Sequence, residues 1–301
     1  VEYRIDRIAI GNDAADVEFM PGPVDVEHDS YRFFVSEGDE TVGGTHTVTV
    51  VLVDEQGNPV PGLEDHLAAS SRDDLGTGTF SSFSETSVAG TYEATVASTV
   101  PGQKRVQVRY HASPSESSLV TLGRFSNDLA AFVVGPVDLT HPGSGLTVTT
   151  GEKSVGQDHT VTVRLADGYG NPVGGAGASL VGTSADPLGT GTVSTFTETS
   201  AVGVYEATVS STVPGAKTIE VTYGGSTVPV VVDGNDQALF VAGPVDLTHT
   251  STSFVVSEGT VPVGESHTVT ATLVDSYGNA VQDAADQLAA STLQALGSGV
   301  F

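Results

Sequence analysis

The sequence predicts an all-β chain of tandem antiparallel β-sandwiches arranged as an extended rod, and three observations carry that reading. One is a repeat of domain length. Another is apolar alternation with a period of two residues. The third is composition: 36 glycines and 14 prolines in 301 residues, 6% aromatic side chains and no Trp, which suits tight turns and short strands better than long helices.

The repeat sets the domain organisation. Gly22-Pro23-Val24-Asp25 recurs as Gly135-Pro136-Val137-Asp138 and as Gly243-Pro244-Val245-Asp246, at intervals of 113 and 108 residues. His-Thr-Val-Thr begins at His46, His159 and His267, with the same two intervals. Gly57-Asn58-Pro59-Val60, Gly170-Asn171-Pro172-Val173 and Gly278-Asn279-Ala280-Val281 keep them again. Residues 75–87 match residues 188–200 at 10 of 13 positions. The five-residue difference falls after Tyr110, in a connection that behaves as a surface loop. A unit of this length is too long for a solenoid repeat and right for an independent sandwich.

Alternation assigns the faces. In the strand that opens at His46, Val48, Val50 and Leu52 point inward, while Thr47, Thr49 and Val51 point outward. In the second copy Val161, Val163 and Leu165 lie inward, with Thr160, Thr162 and Arg164 outside. Only the outer set accepts an arginine, so the inner face is known by what it excludes. Tyr92, Ala94 and Val96 form the next inner row, repeated by Tyr205, Ala207 and Val209. Val106, Val108 and Tyr110 follow, repeated by Ile219, Val221 and Tyr223. The stretch from Asp283 to Leu296 is a short turn or loop within the sandwich rather than a helix.

The expected division is residues 25–137 and 138–245 as two sandwiches of seven or eight strands. Residues 1–24 read as the closing strands of a preceding domain, and 246–301 as the opening part of a further one. The whole then reads as a window on a longer array. The connections at Gly-Pro-Val-Asp hold no Ser/Gly spacer, and proline restricts both itself and the glycine before it. Val137, Leu139, Val245 and Leu247 are expected to pack against the adjoining domain and stiffen each junction.

Composition excludes several functions. With 11 Lys+Arg against 37 Asp+Glu, the net charge is −26, which argues against binding nucleic acid or an anionic membrane surface. The absence of cysteine removes disulfides, zinc–thiolate sites and thiol nucleophiles. No apolar run reaches the length of a membrane span.

The signature TVTVVLVDEQGNPVPG (47–62) followed by SETSVAGTYEATVASTVPGQKRVQV (84–108) resembles the bacterial immunoglobulin-like domains of the invasin and intimin type. TVTVRLADGYGNPVGG (160–175) with TETSAVGVYEATVSSTVPGAKTIEV (197–221) is similar again. The resemblance covers the whole chain. It implies tandem immunoglobulin-like sandwiches forming a non-enzymatic stalk of an extracellular bacterial cell-surface adhesin. Its partners would be neighbouring domains of the same chain, and a receptor reached through parts outside this sequence. Two rivals remain: a self-associating filament or surface-layer subunit, and an accessory segment of a large secreted enzyme.

Candidate sites are few. His28, His141 and His249 follow the Gly-Pro-Val-Asp junctions. With Asp25, Asp138 and Asp246 they compose an imidazole–carboxylate metal site, set against a turn-capping role that the lack of any close His pair favours. Asp233, Asn235 and Asp236, with Asn127 and Asp128, offer hard oxygen ligands to Ca²⁺. Asp54 with Asn58 and Asp167 with Asn171 bracket a tight turn. For all of these, Asp and Asn bonding local backbone N–H groups is the preferred role. The expectation is therefore no cofactor, with Ca²⁺ the candidate ligand. Lys104 and Lys217 occupy equivalent positions at strand starts, where solvent exposure is expected, against a crosslinking role. No nucleophile elbow or phosphate-binding loop is present.

Overall fold

The computed structural model describes residues 20–72, 78–112, 119–123, 126–185, 190–226 and 229–291. The expected closing strands before residue 20 and the last ten residues lie outside the described residues. The chain divides into two compact units, residues 1–133 and 134–301. Among the described residues the structure is β-strand, turn and short 3₁₀ segments, and no helix is long and apolar enough to cross a membrane.

The first unit is a two-sheet sandwich. Its strands are β1 (Arg32–Val35), β2 (Asp39–Thr41), β3 (Thr45–Val51), β4 (Leu67–Ser71), β5 (Gly78–Phe80), β6 (Ser84–Glu85), β7 (Thr91–Ser98), β8 (Gly102–His111), β9 (Leu119–Thr121) and β10 (Leu129–Val133). One sheet runs β1-β3-β7-β5, with β6 also on β7; the other runs β2-β10-β8-β4, with β9 on β8. The pairings are antiparallel except that β2 lies parallel to β10.

The second unit repeats this order. Its strands are β11 (Gly145–Val148), β12 (Glu152–Ser154), β13 (Asp158–Arg164), β14 (Leu180–Ser184), β15 (Gly191–Val193), β16 (Thr197–Glu198), β17 (Val204–Ser211), β18 (Gly215–Tyr223) and β19 (Gln237–Val241). The sheets run β11-β13-β17-β15 and β12-β19-β18-β14. Among the described residues each sandwich thus has eight strands in its two main paths, plus short additions. The same unit continues into β20 (Ser253–Val256) and β21 (Val269–Thr272), paired as β1 and β3 are. The stretch from Asp283 begins with a 3₁₀ turn, Ala285–Gln287, and lies outside the described residues after residue 291.

The inner faces fall where alternation puts them. Val48, Val50, Leu52, Tyr92, Val96 and Val108 are wholly buried, as are Val161, Val163, Tyr205, Val209 and Val221. A buried Val or Leu side chain contributes about 1.5–3 kcal/mol relative to an exposed one, so these rows supply most of the cohesion between sheets. Thr49 departs from expectation. It sits on the outer face but is only 7% exposed, directly opposite Phe34 in the β1–β3 ladder. The second repeat has Thr147 in place of that ring, and Thr162 stays half-buried.

Two further expectations are corrected. Lys104 and Lys217 are not exposed: they are 5% and 2% accessible. They share the inner face with Val106 and Val108, or with Ile219 and Val221, because they sit two and four residues before them on the same strand. Each lies directly opposite a fully buried alanine, Ala130 or Ala238, and that small neighbour leaves room for the lysine stem. The linker residues Val137 and Leu139 pack against the core of the sandwich that follows them, and Leu247 is 79% exposed. Val137 and Leu139 are held there because the Gly-Pro-Val-Asp segment is hydrogen-bonded into that repeat, while Leu247 departs from the expected packing.

Candidate functional site

That attachment is made by an Asp-x-x-x-Asn turn present in each repeat: Asp54–Asn58, Asp167–Asn171 and Asp275–Asn279. The turn closes when the N–H of Gly57, Gly170 or Gly278 donates to the carbonyl of the leading Asp. These glycines have φ of 79°, 85° and 83°, a left-handed conformation that other residues adopt at a cost.

The Asp carboxylate then gathers donors from two directions. In the first repeat, Asp54 Oδ1 accepts the N–H groups of Gln56 (3.0 Å) and Asn58 (2.8 Å). The Asn58 amide donates to both carboxylate oxygens, at 3.1 and 3.0 Å. Oδ2 accepts the N–H of Gly22 at 2.9 Å, from 32 residues upstream. Gly135 donates likewise to Asp167 (3.0 Å) and Gly243 to Asp275 (2.9 Å). An ionised carboxylate is acceptor-only and can take all these bonds; a protonated one cannot. The pKa shifts follow. Asp54 is held at about 2, first by the Asn58 amide and next by Gly22 N–H. For Asp167 and Asp275 burial pushes upward, but the Asn171 or Asn279 amide and the linker glycine outweigh it and the net shift is downward.

The junction histidines serve turns. Nδ1 of His28, His141 and His249 accepts the N–H of Ser30 (3.0 Å), Gly143 (2.9 Å) and Ser251 (3.1 Å). Each ring covers the turn glycine, since a Cβ on Gly57, Gly170 or Gly278 would come within 3.2, 2.9 or 3.4 Å of it. Asp138 Oδ1 accepts the N–H and hydroxyl of Thr140, and Asp246 does the same with Thr248. These bonds, the hydroxyl first, lower both carboxyl pKa values. Asp25 accepts the N–H of Glu27 at 2.9 Å.

The other oxygen ligands do not converge. Asp233 forms an ion pair with Arg164. The Asn235 amide donates to the carbonyls of Val148 (3.1 Å) and Gln237 (2.7 Å), as Asn127 does to Val35 and Leu129. Asp236 contributes its backbone carbonyl to Ile219 N–H. Asp128 lies 3.7 Å from Arg72 and 3.6 Å from Arg105. Among the described residues no three His, Asp or Glu side chains are grouped to hold a metal ion.

A second histidine set joins the two sheets. His46 on β3 donates from Nε2 to the Ala131 carbonyl on β10 at 2.9 Å, and His159 on β13 reaches Leu239 on β19 at 3.1 Å. Each imidazole meets a phenylalanine edge-on, Phe132 or Phe240, at 5.1 Å.

No family model and no curated protein matches the chain. Solved structures do. FdeC, described as an adhesin of Escherichia coli, superposes with a TM-score of 0.55 at 24% identity, over 88% of this chain and 79% of that one. InvD of Yersinia pseudotuberculosis gives 0.54 at 19% identity, over 83% and 72%. The fold, an immunoglobulin-like β-sandwich repeated along the chain, is shared with FdeC and InvD. Within such an immunoglobulin-like repeat, the Asp-x-x-x-Asn turn occupies the end at which the chain enters, beside the linker.

Proposed function

We propose that the chain is a non-enzymatic stalk segment of an extracellular bacterial adhesin, holding a distal binding module away from the cell. Sandwiches at 25–137 and 138–245 are its spacing units, flanked by parts of two more at 1–24 and 246–301. The observation that supports this most is the short linker between repeats. Val241 is still in the ladder, accepting Val155 N–H, and Gly243 is already fixed to Asp275, so Ala242 alone stands between them. The junction histidines, with Asp138 and Asp246, bond within their own turns, as suits a spacer whose neighbours are other repeats. The FdeC likeness supports an adhesin setting, and the charge of −26 keeps adjacent stalks apart.

Small-angle scattering on the full chain tests the reading. A compact globule of this length has a radius of gyration of about 19 Å. Sandwiches of about 35–45 Å set end to end give about 30 Å. A value near the compact figure would overturn the stalk.

A further inference from the structure

We propose that the Asp275–Asn279 turn is a plug, and that the end of the preceding sandwich bearing Gly156 and Thr212 is the socket it fits. This goes beyond a stalk in naming the residues that set the angle between repeats.

The turn has two arms. Its carboxylate holds the linker through Gly243 N–H, as described. Its amide reaches the other way. Asn279 Nδ2 lies 2.9 Å from the Thr212 carbonyl, in the turn joining β17 to β18, while also donating to Asp275 at 3.1 and 3.0 Å. An amide nitrogen has two N–H groups. One is shared by the carboxylate oxygens and the other reaches the preceding sandwich, so one side chain couples linker and neighbour.

The third contact is steric. Tyr277, between the arms, lies on Gly156 so closely that a Cβ there would stand 2.5 Å from its hydroxyl and 3.1 Å from its ring. Gly156 also has φ +83°. The socket therefore excludes any side chain twice over, by conformation and by space.

Both halves recur in the sequence. The plug pair stands at Asp54/Asn58 and Asp167/Asn171, with Gln56 and Tyr169 in the middle position. The socket glycine stands at Gly43 and Gly264, with φ of 86° and 101°, and Ser98-Thr99-Val100-Pro101 matches Ser211-Thr212-Val213-Pro214. A unit with a plug at its entry and a socket at its exit is suited to repeat head to tail, as heterologous contacts do.

The full 301-residue chain has no cysteine, so Ser200→Cys with Glu258→Cys, both at exposed positions, takes two spin labels cleanly. Pulsed dipolar spectroscopy then reads the distance distribution across this junction. The wild-type background should give one narrow peak. Asn279→Ala and, separately, Tyr277→Ala should broaden it at least twofold, with the melting temperature of the second sandwich unchanged. Tyr277→Ala leaves the carboxylate arm intact, so the test survives if Asn279→Ala disturbs the turn. A narrow peak that neither variant broadens would overturn the clamp while leaving the stalk standing. A broad wild-type distribution would overturn both.

Discussion

The tyrosines of β7 and β17 allow one prediction to be worked twice in one molecule. Tyr92 and Tyr205 are wholly buried. Tyr205 donates to the Val173 carbonyl at 2.6 Å and accepts the N–H of Ala176 at 3.0 Å, tying the segment before β14 to β17. Tyr92 does the same with Val60 (2.6 Å) and Leu63 (3.1 Å). Burial raises the phenol pKa in both, to about 12 for Tyr92. Replacing Tyr by Phe keeps the packing and orphans one carbonyl and one N–H. Each buried orphan costs about 1–3 kcal/mol. In each pair one bond is buried and the other part-buried, the buried ones being Tyr92 to the Val60 carbonyl and Ala176 N–H to Tyr205. Tyr205→Phe should therefore cost about 2–3 kcal/mol in the second sandwich, and Tyr92→Phe about the same in the first. For domains of this size the former is a melting shift of about 8–12 °C. Hydrogen exchange by mass spectrometry reports each sandwich separately. Tyr205→Phe should speed exchange over residues 173–223 and leave residues 31–111 unchanged. A cost below about 0.5 kcal/mol, or equal loss in both sandwiches from the one substitution, would refute the hydrogen-bond argument.

Tyr31 makes the opposite case: its buried hydroxyl has no hydrogen-bond partner among the described residues, so Tyr31→Phe should raise first-sandwich stability by about 1 kcal/mol in denaturant titration, and a loss would contradict the assignment. Acid should act through the Asp turns. Asp54 titrates at about 2 when folded against 3.8 otherwise; a depressed folded pKa gives stability that is complete above the unfolded value and lost as pH falls through the folded one. Melting temperature should hold constant from this group above about pH 5 and fall between about pH 4 and 2, with a shallower fall in Asp54→Asn; a rise on acidification would sink the idea. Calcium at millimolar concentration, or EDTA, should shift the melting temperature by less than about 1 °C, because Asp233 is engaged by Arg164 and Asp138 and Asp246 by threonines; a rise of several degrees would show a ligand bound to the folded state.

Period-two alternation made the inner faces readable, since slipping a strand by one residue inverts every side chain. The same rule, carried two residues farther back, places Lys104 and Lys217 inside. Their charge, and their position after a Pro-Gly turn, pointed outward and masked the phase. The Asp-x-x-x-Asn turns were visible as turns, but their bond to the linker glycine was not, because local spacing carries no information on a partner 32 residues away. A signal existed nonetheless. That separation stays fixed in all three repeats although the repeat length varies by five residues, so the two motifs move together. The junction contacts through Asn279 and Tyr277 depend on which ends of two sandwiches meet, and no pattern within one repeat encodes that.

The parallel pairing of β12 with β19 has a mechanical consequence. Residues 152–154 lie alongside residues 239–241 and run in the same direction, with Val155 N–H bonded to the Val241 carbonyl beyond them. Tension that draws the two ends of the sandwich apart pulls these strands past each other along their length. The bridging bonds are then loaded together in shear rather than opened one after another like a zipper, and rupture requires them to fail almost at once. The first sandwich has the same arrangement in β2 and β10. Under traction each repeat should yield in a single abrupt step, and a sawtooth of separate events should mark the extension of the chain.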